Sequence, residues 1–245
     1  MFMEIAVFDL DRTITKRATT ITLLWGMLIR GKLPVLMLLR YTHKYFWNLF
    51  LAKEMHREDL DRFTENALAI LSGKSPEEFE KDVRAIIEPK FNKLVYKKIV
   101  TVIAKERLLG RKLVLATAAP KELATIFKER LGFDFLLSTE MSVVDGKYDG
   151  KLVEGFCHGE GKERRLRALI KRENFSKAHI FSDSSNDLPL FKIFNLGTGV
   201  NPDRVLKKWC KENQLEHLYC SKFRYVKRAY TTIFILLAGL VFVNY

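Results

Sequence analysis

The segment Phe8-Asp9-Leu10-Asp11-Arg12-Thr13 continues the apolar run Ile5-Ala6-Val7-Phe8. Such a run is typical of a buried parallel strand, and acidic side chains after it lie at the carboxyl edge of the sheet, where open α/β folds bind their ligands. Asp9 and Asp11 are two residues apart and can take distinct roles where the strand becomes a loop. The segment therefore predicts an active site, with a plain turn as the alternative.

The composition is typical of a globular chain and favours an anionic partner. Its 245 residues, 48% of them hydrophobic, suffice for one large domain or a domain with an insert. The 42 basic and 29 acidic residues leave a net charge of +13, which favours nucleic acid, a phosphorylated substrate or an anionic membrane surface. Cys157, Cys210 and Cys220 are odd in number and lack metal-site spacing, which indicates a reducing compartment. We expect no secretory signal.

The carboxyl-terminal segment 229–245 carries no charged side chain and follows a basic cluster. As a helix it would span roughly 25 Å, close to the roughly 30 Å of a bilayer core. It predicts a single-pass anchor that holds the protein at the cytoplasmic face of the membrane, with a buried final helix or strand as the alternative. The apolar and basic region 21–51 is typical of either an interfacial helical hairpin or a small helical domain.

The middle of the chain alternates between strand and helix patterns. Ser75-Pro76-Glu77-Glu78 is typical of a helix start, and the stretch from Pro89 to Leu109 has helical spacing. Residues 112–117 and 179–182 predict buried strands, and 121–131 predicts a helix. The pattern indicates an α/β fold, a Rossmann-like parallel sheet interrupted by a helical insert. No glycine-rich nucleotide loop is present, so ATP binding has no support.

Polar side chains follow the predicted strands and suggest phosphate chemistry. Thr117 ends the second strand, Asp183 and Asp187 follow the last one, and Lys162 opens a helix beside Gly161. Clustered carboxylates suit Mg²⁺, and an ammonium group balances phosphate charge. An aspartate nucleophile that forms an acyl phosphate would split hydrolysis into two easier steps, while Asp11 protonates the leaving oxygen and later activates water.

In this order Asp9-Leu10-Asp11-Arg12-Thr13, Thr117, Lys162 and Asp183 with Asp187 resemble the four motifs of the haloacid dehalogenase superfamily. The large insert is similar to that of the subfamily that includes phosphoserine phosphatase and a bacterial phosphatidylglycerophosphatase. The resemblance implies a catalytic core over 1–14 and 91–228, a helical cap over 15–90, and an appended apolar helix over 229–245.

The same resemblance implies a role for each site residue. Asp9 would be the nucleophile and Asp11 the general acid and base. The phosphate would be bound by Thr117, Ala118 and Lys162. The Mg²⁺ ligands would be Asp9, the carbonyl of Asp11, and Asp183. The supporting residues would be Thr13, Asn186 and Asp187.

Two departures from the family pattern bear on the substrate. Arg12 stands where the family commonly has glycine, and it would either contact an anionic substrate or point outward. Thr117-Ala118-Ala119-Pro120 replaces the serine and glycines typical of phosphoserine phosphatases. We therefore expect a Mg²⁺-dependent phosphomonoesterase acting on a lipid phosphate such as phosphatidylglycerophosphate, with no nucleic-acid partner. The alternatives are a phosphatase for a small soluble ester such as phosphoserine, and a catalytically weak protein that binds the membrane surface.

Overall fold

A computed structural model of the chain describes residues 3–32 and 71–220. Its centre is a sheet of six parallel strands in the order β3-β2-β1-β6-β7-β8. The strands are β1 (Glu4–Phe8), β2 (Lys112–Pro120), β3 (Phe135–Thr139), β6 (Lys177–Ser182), β7 (Gly197–Val200) and β8 (Glu216–Leu218). The predicted α/β fold with a parallel sheet is confirmed.

Helices connect these strands, as parallel pairing requires. The helices are α1 (Thr19–Ile29), α2 (Pro76–Ile87), α3 (Phe91–Leu94), α4 (Lys97–Leu108), α5 (Lys121–Leu131), α6 (Glu160–Glu173), α7 (Leu188–Phe194) and α8 (Arg204–Glu212). Ser75 accepts a hydrogen bond from the Glu78 amide at 3.1 Å, so α2 begins at the predicted cap. The predicted helix between Pro89 and Leu109 is instead two helices, because Val95 and Tyr96 are extended between them.

A two-stranded antiparallel hairpin, β4 (Met141–Val144) and β5 (Lys147–Leu152), lies outside the main sheet. Its Tyr148 exchanges backbone hydrogen bonds with Gly73 and Lys74, which precede α2. The Tyr148 hydroxyl donates to Glu122 of α5 at 2.6 Å. The hairpin therefore ties the segment before α2 to the helix that follows β2.

The two described helices of the insert pack on each other and on the sheet core. Leu23 and Met27 of α1 and Val83 of α2 belong to the same apolar cluster as Phe8 of β1. At Gly26 the helices approach so closely that an added Cβ would lie 2.3 Å from Ile86 Cγ2. The glycine is therefore required by packing.

The expectation of a membrane anchor needs correction. Within residues 3–32 and 71–220, every helix is too short or too polar to cross a bilayer. This finding overturns the predicted attachment to the cytoplasmic face of the membrane by a single-pass anchor. The segment 229–245, on which the prediction rested, and most of the region 21–51 lie outside the described residues.

Candidate active site

The two strands at the centre of the sheet bring the predicted acids together. β1 pairs with β6 in parallel register, with Phe8 opposite Phe181. The Asp9 amide continues this pairing by donating to the Phe181 carbonyl at 2.9 Å. Asp9 and Asp183 therefore leave adjacent strands at the same carboxyl edge, as the sequence predicted.

Lys162, at the start of α6, connects two of these acids. Its Nζ lies 2.8 Å from Asp9 Oδ1 and 3.0 Å from a carboxylate oxygen of Asp187. Its side chain is 3% exposed, so the three groups form a nearly dry cluster. The pKa of Lys162 lies above its usual range because the attraction of Asp187 and Asp9 outweighs burial, which lowers it. Lys162 is thus a permanent cation at the centre of the site.

Burial raises the pKa of two carboxyl groups at this edge, Asp9 and Asp183. It raises the pKa of Asp9 to about 6, although Lys162 opposes the shift. Burial, together with the charge of Asp9, raises the pKa of Asp183 to about 8, and Arg12 opposes this shift. Among residues 3–32 and 71–220, the Asp183 carboxylate accepts a single long hydrogen bond, from Thr13 Oγ1 at 3.5 Å. Asp183 therefore has no ion pair with a described residue, whereas Asp9 is paired with Lys162.

Asp11 is held by the first turn of α1. Its Oδ1 accepts hydrogen bonds from the amide and the hydroxyl of Thr19, both at 2.7 Å. Burial raises the pKa of Asp11, while these two hydrogen bonds lower it. Thr19 thus positions the predicted acid and base. No local pattern singles it out, because it is one of five threonines within residues 13–22.

The remaining predicted residues lie on the same edge and differ in their burial and hydrogen bonding. Thr117 is buried within β2, which continues to Pro120 and so ends later than the sequence predicted, and its Oγ1 accepts the Ala119 amide at 3.1 Å. The Ala118 carbonyl accepts from Thr139 Oγ1 at 2.8 Å. Asn186 is exposed, and its backbone amide donates to Ser184 Oγ at 3.2 Å. The supporting role of Asn186 therefore stays a prediction.

Two further residues hold the acidic loop, and the sequence reading missed both. Ser182 Oγ donates to Asp187 at 2.6 Å. Asp203 caps α8 through the Leu206 amide and also accepts the Ser185 amide, each at 2.8 Å. The motif Asp203-Arg204-Val205-Leu206 is a signal for the cap in the sequence, but its link to the acidic loop is a tertiary contact.

The donors at this edge suit a hard cation. No three His, Cys, Asp or Glu side chains in the described part of the chain are arranged to hold a metal ion. The predicted set needs only two, Asp9 and Asp183, because its third member is the Asp11 carbonyl. All three donors are oxygens, the Asp183 side chain is buried, and the Asp9 side chain is only 13% exposed. Oxygen donors of this kind are the ligands that Mg²⁺ prefers, so the residues fit this ion.

Comparison with known proteins agrees with this geometry. The model of the haloacid dehalogenase-like hydrolase family matches residues 6–192. A Mycobacterium tuberculosis protein named as a probable phosphatase is 30% identical over 83% of this chain and 70% of its own length. A phosphoserine phosphatase of the same organism is 29% identical over 86% of this chain and 69% of its own.

Solved structures share the fold. A Bordetella pertussis protein of unknown function superposes with a TM-score of 0.77 at 19% identity, covering 90% of this chain and all of that one. A phosphoserine phosphatase superposes with a TM-score of 0.57 at 17% identity, covering 90% of this chain and 95% of that one. At these identities the likeness concerns the fold alone.

The chain belongs to the haloacid dehalogenase-like hydrolase family, since the family model covers most of its length. The predicted enzyme class, a phosphatase of the haloacid dehalogenase type, is confirmed.

Proposed function

We propose that this chain hydrolyses phosphomonoesters through a phosphorylated Asp9. The observation that carries the proposal is the buried bridge of Lys162 to Asp9 and Asp187 at the carboxyl edge of the sheet. A buried ammonium fixes the orientation of the Asp9 carboxylate and provides positive charge where a phosphoryl group would arrive. The arrangement suits a carboxylate nucleophile in an electrostatically prepared site.

The proposed reaction has two displacements. An Asp9 oxygen attacks phosphorus, the ester P–O bond breaks, and the leaving alkoxide takes a proton from Asp11. Asp11 then takes a proton from water as the water oxygen attacks the phosphorus of the acyl phosphate. This second step releases inorganic phosphate and restores Asp9. Asp11 is suited to both steps, because its burial favours the protonated form and Thr19 favours the charged one.

The surrounding residues would bind the phosphoryl oxygens. We assign this role to Lys162, to the Thr117 hydroxyl and to the backbone at Ala118, with Thr13, Asn186 and Asp187 in support. We further propose Asp9, the Asp11 carbonyl and Asp183 as the ligands of Mg²⁺. When bound, Mg²⁺ would offset the repulsion between the acids and the incoming phosphate.

We propose a small soluble phosphomonoester as the substrate, in place of the lipid phosphate favoured by the sequence. The lipid proposal also relied on membrane features, and no helix within residues 3–32 and 71–220 is long and apolar enough to cross a bilayer. A relative that aligns with 86% of this chain is named as a phosphoserine phosphatase, and another is named as a histidinol-phosphatase. A soluble phosphate ester is the substrate type common to those two names.

We propose that residues 15–90 form a cap over this site, with 1–14 and 91–228 as the catalytic core. The support is the position of α1, whose first turn binds Asp11 directly. A cap tethered to the acid and base would exclude water while the ester bond breaks.

The test is phosphate release from p-nitrophenyl phosphate with and without Mg²⁺. We expect release by the wild type that depends on Mg²⁺, and a loss of at least about 1,000-fold in Asp9→Asn, because the amide is not a nucleophile. Asp145→Asn is the matched control, because Asp145 is exposed in the hairpin turn and has a φ of 50° that asparagine tolerates. Equal release by wild type and Asp9→Asn would refute the proposal.

A further inference from the structure

Arg12 occupies a backbone conformation that its side chain disfavours. Its φ is 63°, in the left-handed region, where a residue with a Cβ is strained and glycine is not. Asn201 Nδ2 donates to the Arg12 carbonyl at 3.3 Å and helps to hold this turn. Strained residues of this kind concentrate at functional sites, because the surrounding structure must enforce them. An arginine at this position therefore calls for an explanation beyond folding.

The guanidinium of Arg12 lies beside the site and has no fixed partner within residues 3–32 and 71–220. It is close enough to Asp11 and Asp183 to lower the pKa of both carboxyls. It forms no hydrogen bond or ion pair with another residue of 3–32 or 71–220, and it is exposed. Lys162 differs in both respects, being buried and bonded to two carboxylates. As far as the described residues go, Arg12 thus has donors available for a ligand that lies close to Asp11 and Asp183.

We propose that Arg12 binds a second anionic group of the substrate, so that the enzyme selects phosphomonoesters that also carry a carboxylate or a further phosphate. The inference rests on the proposed function and names its substrate class. A guanidinium presents two parallel N–H donors that match the oxygens of either group. Lys162 would bind the reacting phosphoryl group, while Arg12 binds the group that does not react.

The competing explanation is that Arg12 only balances the charge of the neighbouring acids. Both explanations predict that removing the charge harms activity. They differ in whether the harm depends on the second anionic group, and matched substrates can separate them.

The test compares two pairs of esters in wild type, Arg12→Gly and Arg12→Lys. O-phospho-L-serine differs from O-phosphoethanolamine only by its carboxylate, and propane-1,3-diol bisphosphate differs from propyl phosphate by its second phosphate. The readout is the ratio of kcat/KM within each pair. We expect Arg12→Gly to lower at least one ratio by about 10- to 100-fold, mainly through KM, because a charge-assisted pair is lost.

The controls separate binding from folding and from net charge. Arg12→Gly should melt no lower than wild type, because glycine adopts this φ without strain. Arg12→Lys should keep part of the ratio, since it retains the charge but not the paired donors. Arg172→Ala removes an exposed cation that lies on α6 about ten residues after Lys162, and therefore roughly 15 Å from it along the helix. This variant should keep both ratios.

Each outcome bears on the proposal. A fall in the first ratio identifies a carboxylate as the recognised group, and a fall in the second identifies a phosphate. Unchanged ratios in both pairs, with phosphate still released, would overturn the inference in favour of charge balance. If the wild type released phosphate from p-nitrophenyl phosphate but from none of the four esters, the inference would be overturned while the proposed function stood. Release from none of the five would overturn the proposed function itself.

Discussion

Replacing Lys162 with methionine should destabilise the protein strongly, because it leaves two buried carboxylates without their shared cation. Both acids contact one nitrogen, so their oxygens lie no more than about 6 Å apart. At that distance two charges repel by about 3 kcal/mol at an effective dielectric constant near 20. Breaking a buried ion pair by removing one partner typically costs about 3–5 kcal/mol. We expect a loss in this range at pH 7.5.

The loss should shrink in acid. Without Lys162 the pKa of Asp9, already raised to about 6 by burial, rises further above its value in the unfolded chain. An acid with a raised folded-state pKa destabilises the protein above that pKa, and the folded state gains stability as protonation removes the charge. The difference between variant and wild type should therefore be smaller at pH 5 than at pH 7.5.

Urea unfolding without added divalent cations measures these differences. The double variant Lys162→Met/Asp187→Asn should recover part of the loss, because one of the two charges is removed. Lys171→Met, an exposed position on the same helix, should change the free energy of unfolding by less than about 0.5 kcal/mol. A loss below about 1 kcal/mol for Lys162→Met at pH 7.5 would refute the electrostatic account of the cluster.

Three further changes test other parts of the structure. Asp203→Ala should lower the free energy of unfolding by about 1–2 kcal/mol at pH 7, because a helix cap and a loop contact are lost. Burial raises the pKa of Asp203, but hydrogen bonds from backbone amides outweigh it and hold this pKa below its usual range. The difference in unfolding free energy between Asp203→Ala and wild type should therefore fade below about pH 4 in urea titrations. A difference that stays constant with pH would contradict this expectation. Thr19→Val should raise the pKa of Asp11, because the hydroxyl that donates to its carboxylate is lost, and the part of the pH profile of kcat that reports Asp11 should move to higher pH. Thr19→Ser should leave that part of the profile near its wild-type position. An unchanged profile in Thr19→Val would exclude Thr19 as a positioning residue. Gly26→Ala should lower the free energy of unfolding by about 1–3 kcal/mol through overpacking against Ile86, and the higher helix propensity of alanine should offset about 1 kcal/mol of this loss. Adding Ile86→Ala to this variant should relieve the clash. A higher melting temperature for Gly26→Ala alone would count against the close packing.

The parts of the fold that the sequence predicted are those with strong local patterns. β1 and β2 are continuous apolar runs, and α2 has a serine cap followed by proline and two acids. β7 escaped notice because its sequence, Gly-Thr-Gly-Val, lacks the usual strand residues. An added Cβ at Gly197 would lie 2.5 Å from the Phe191 ring, so close packing requires glycine there. Because glycine is uncommon in strands, the sequence pattern does not indicate β7.

The site divides in the same way. Asp9 and Asp183 were predicted because they follow apolar strand patterns, and their order with Lys162 resembles the family's motifs. The structure brings all three to one edge of the sheet. Thr19 and Asp203 act through contacts between distant segments, which local patterns do not encode. The membrane anchor was inferred from the length and polarity of one segment and from the basic cluster before it, and such local features do not establish the place of a segment in the fold.

The central claim is that Asp9 carries the phosphoryl group, and chemical trapping tests it most directly. An aspartyl phosphate is reduced by borohydride to homoserine, which peptide mass spectrometry detects. During turnover of p-nitrophenyl phosphate with Mg²⁺, the account predicts homoserine at position 9, and none in Asp9→Asn or without substrate. Homoserine at another aspartate, or full turnover by Asp9→Asn, would contradict the account.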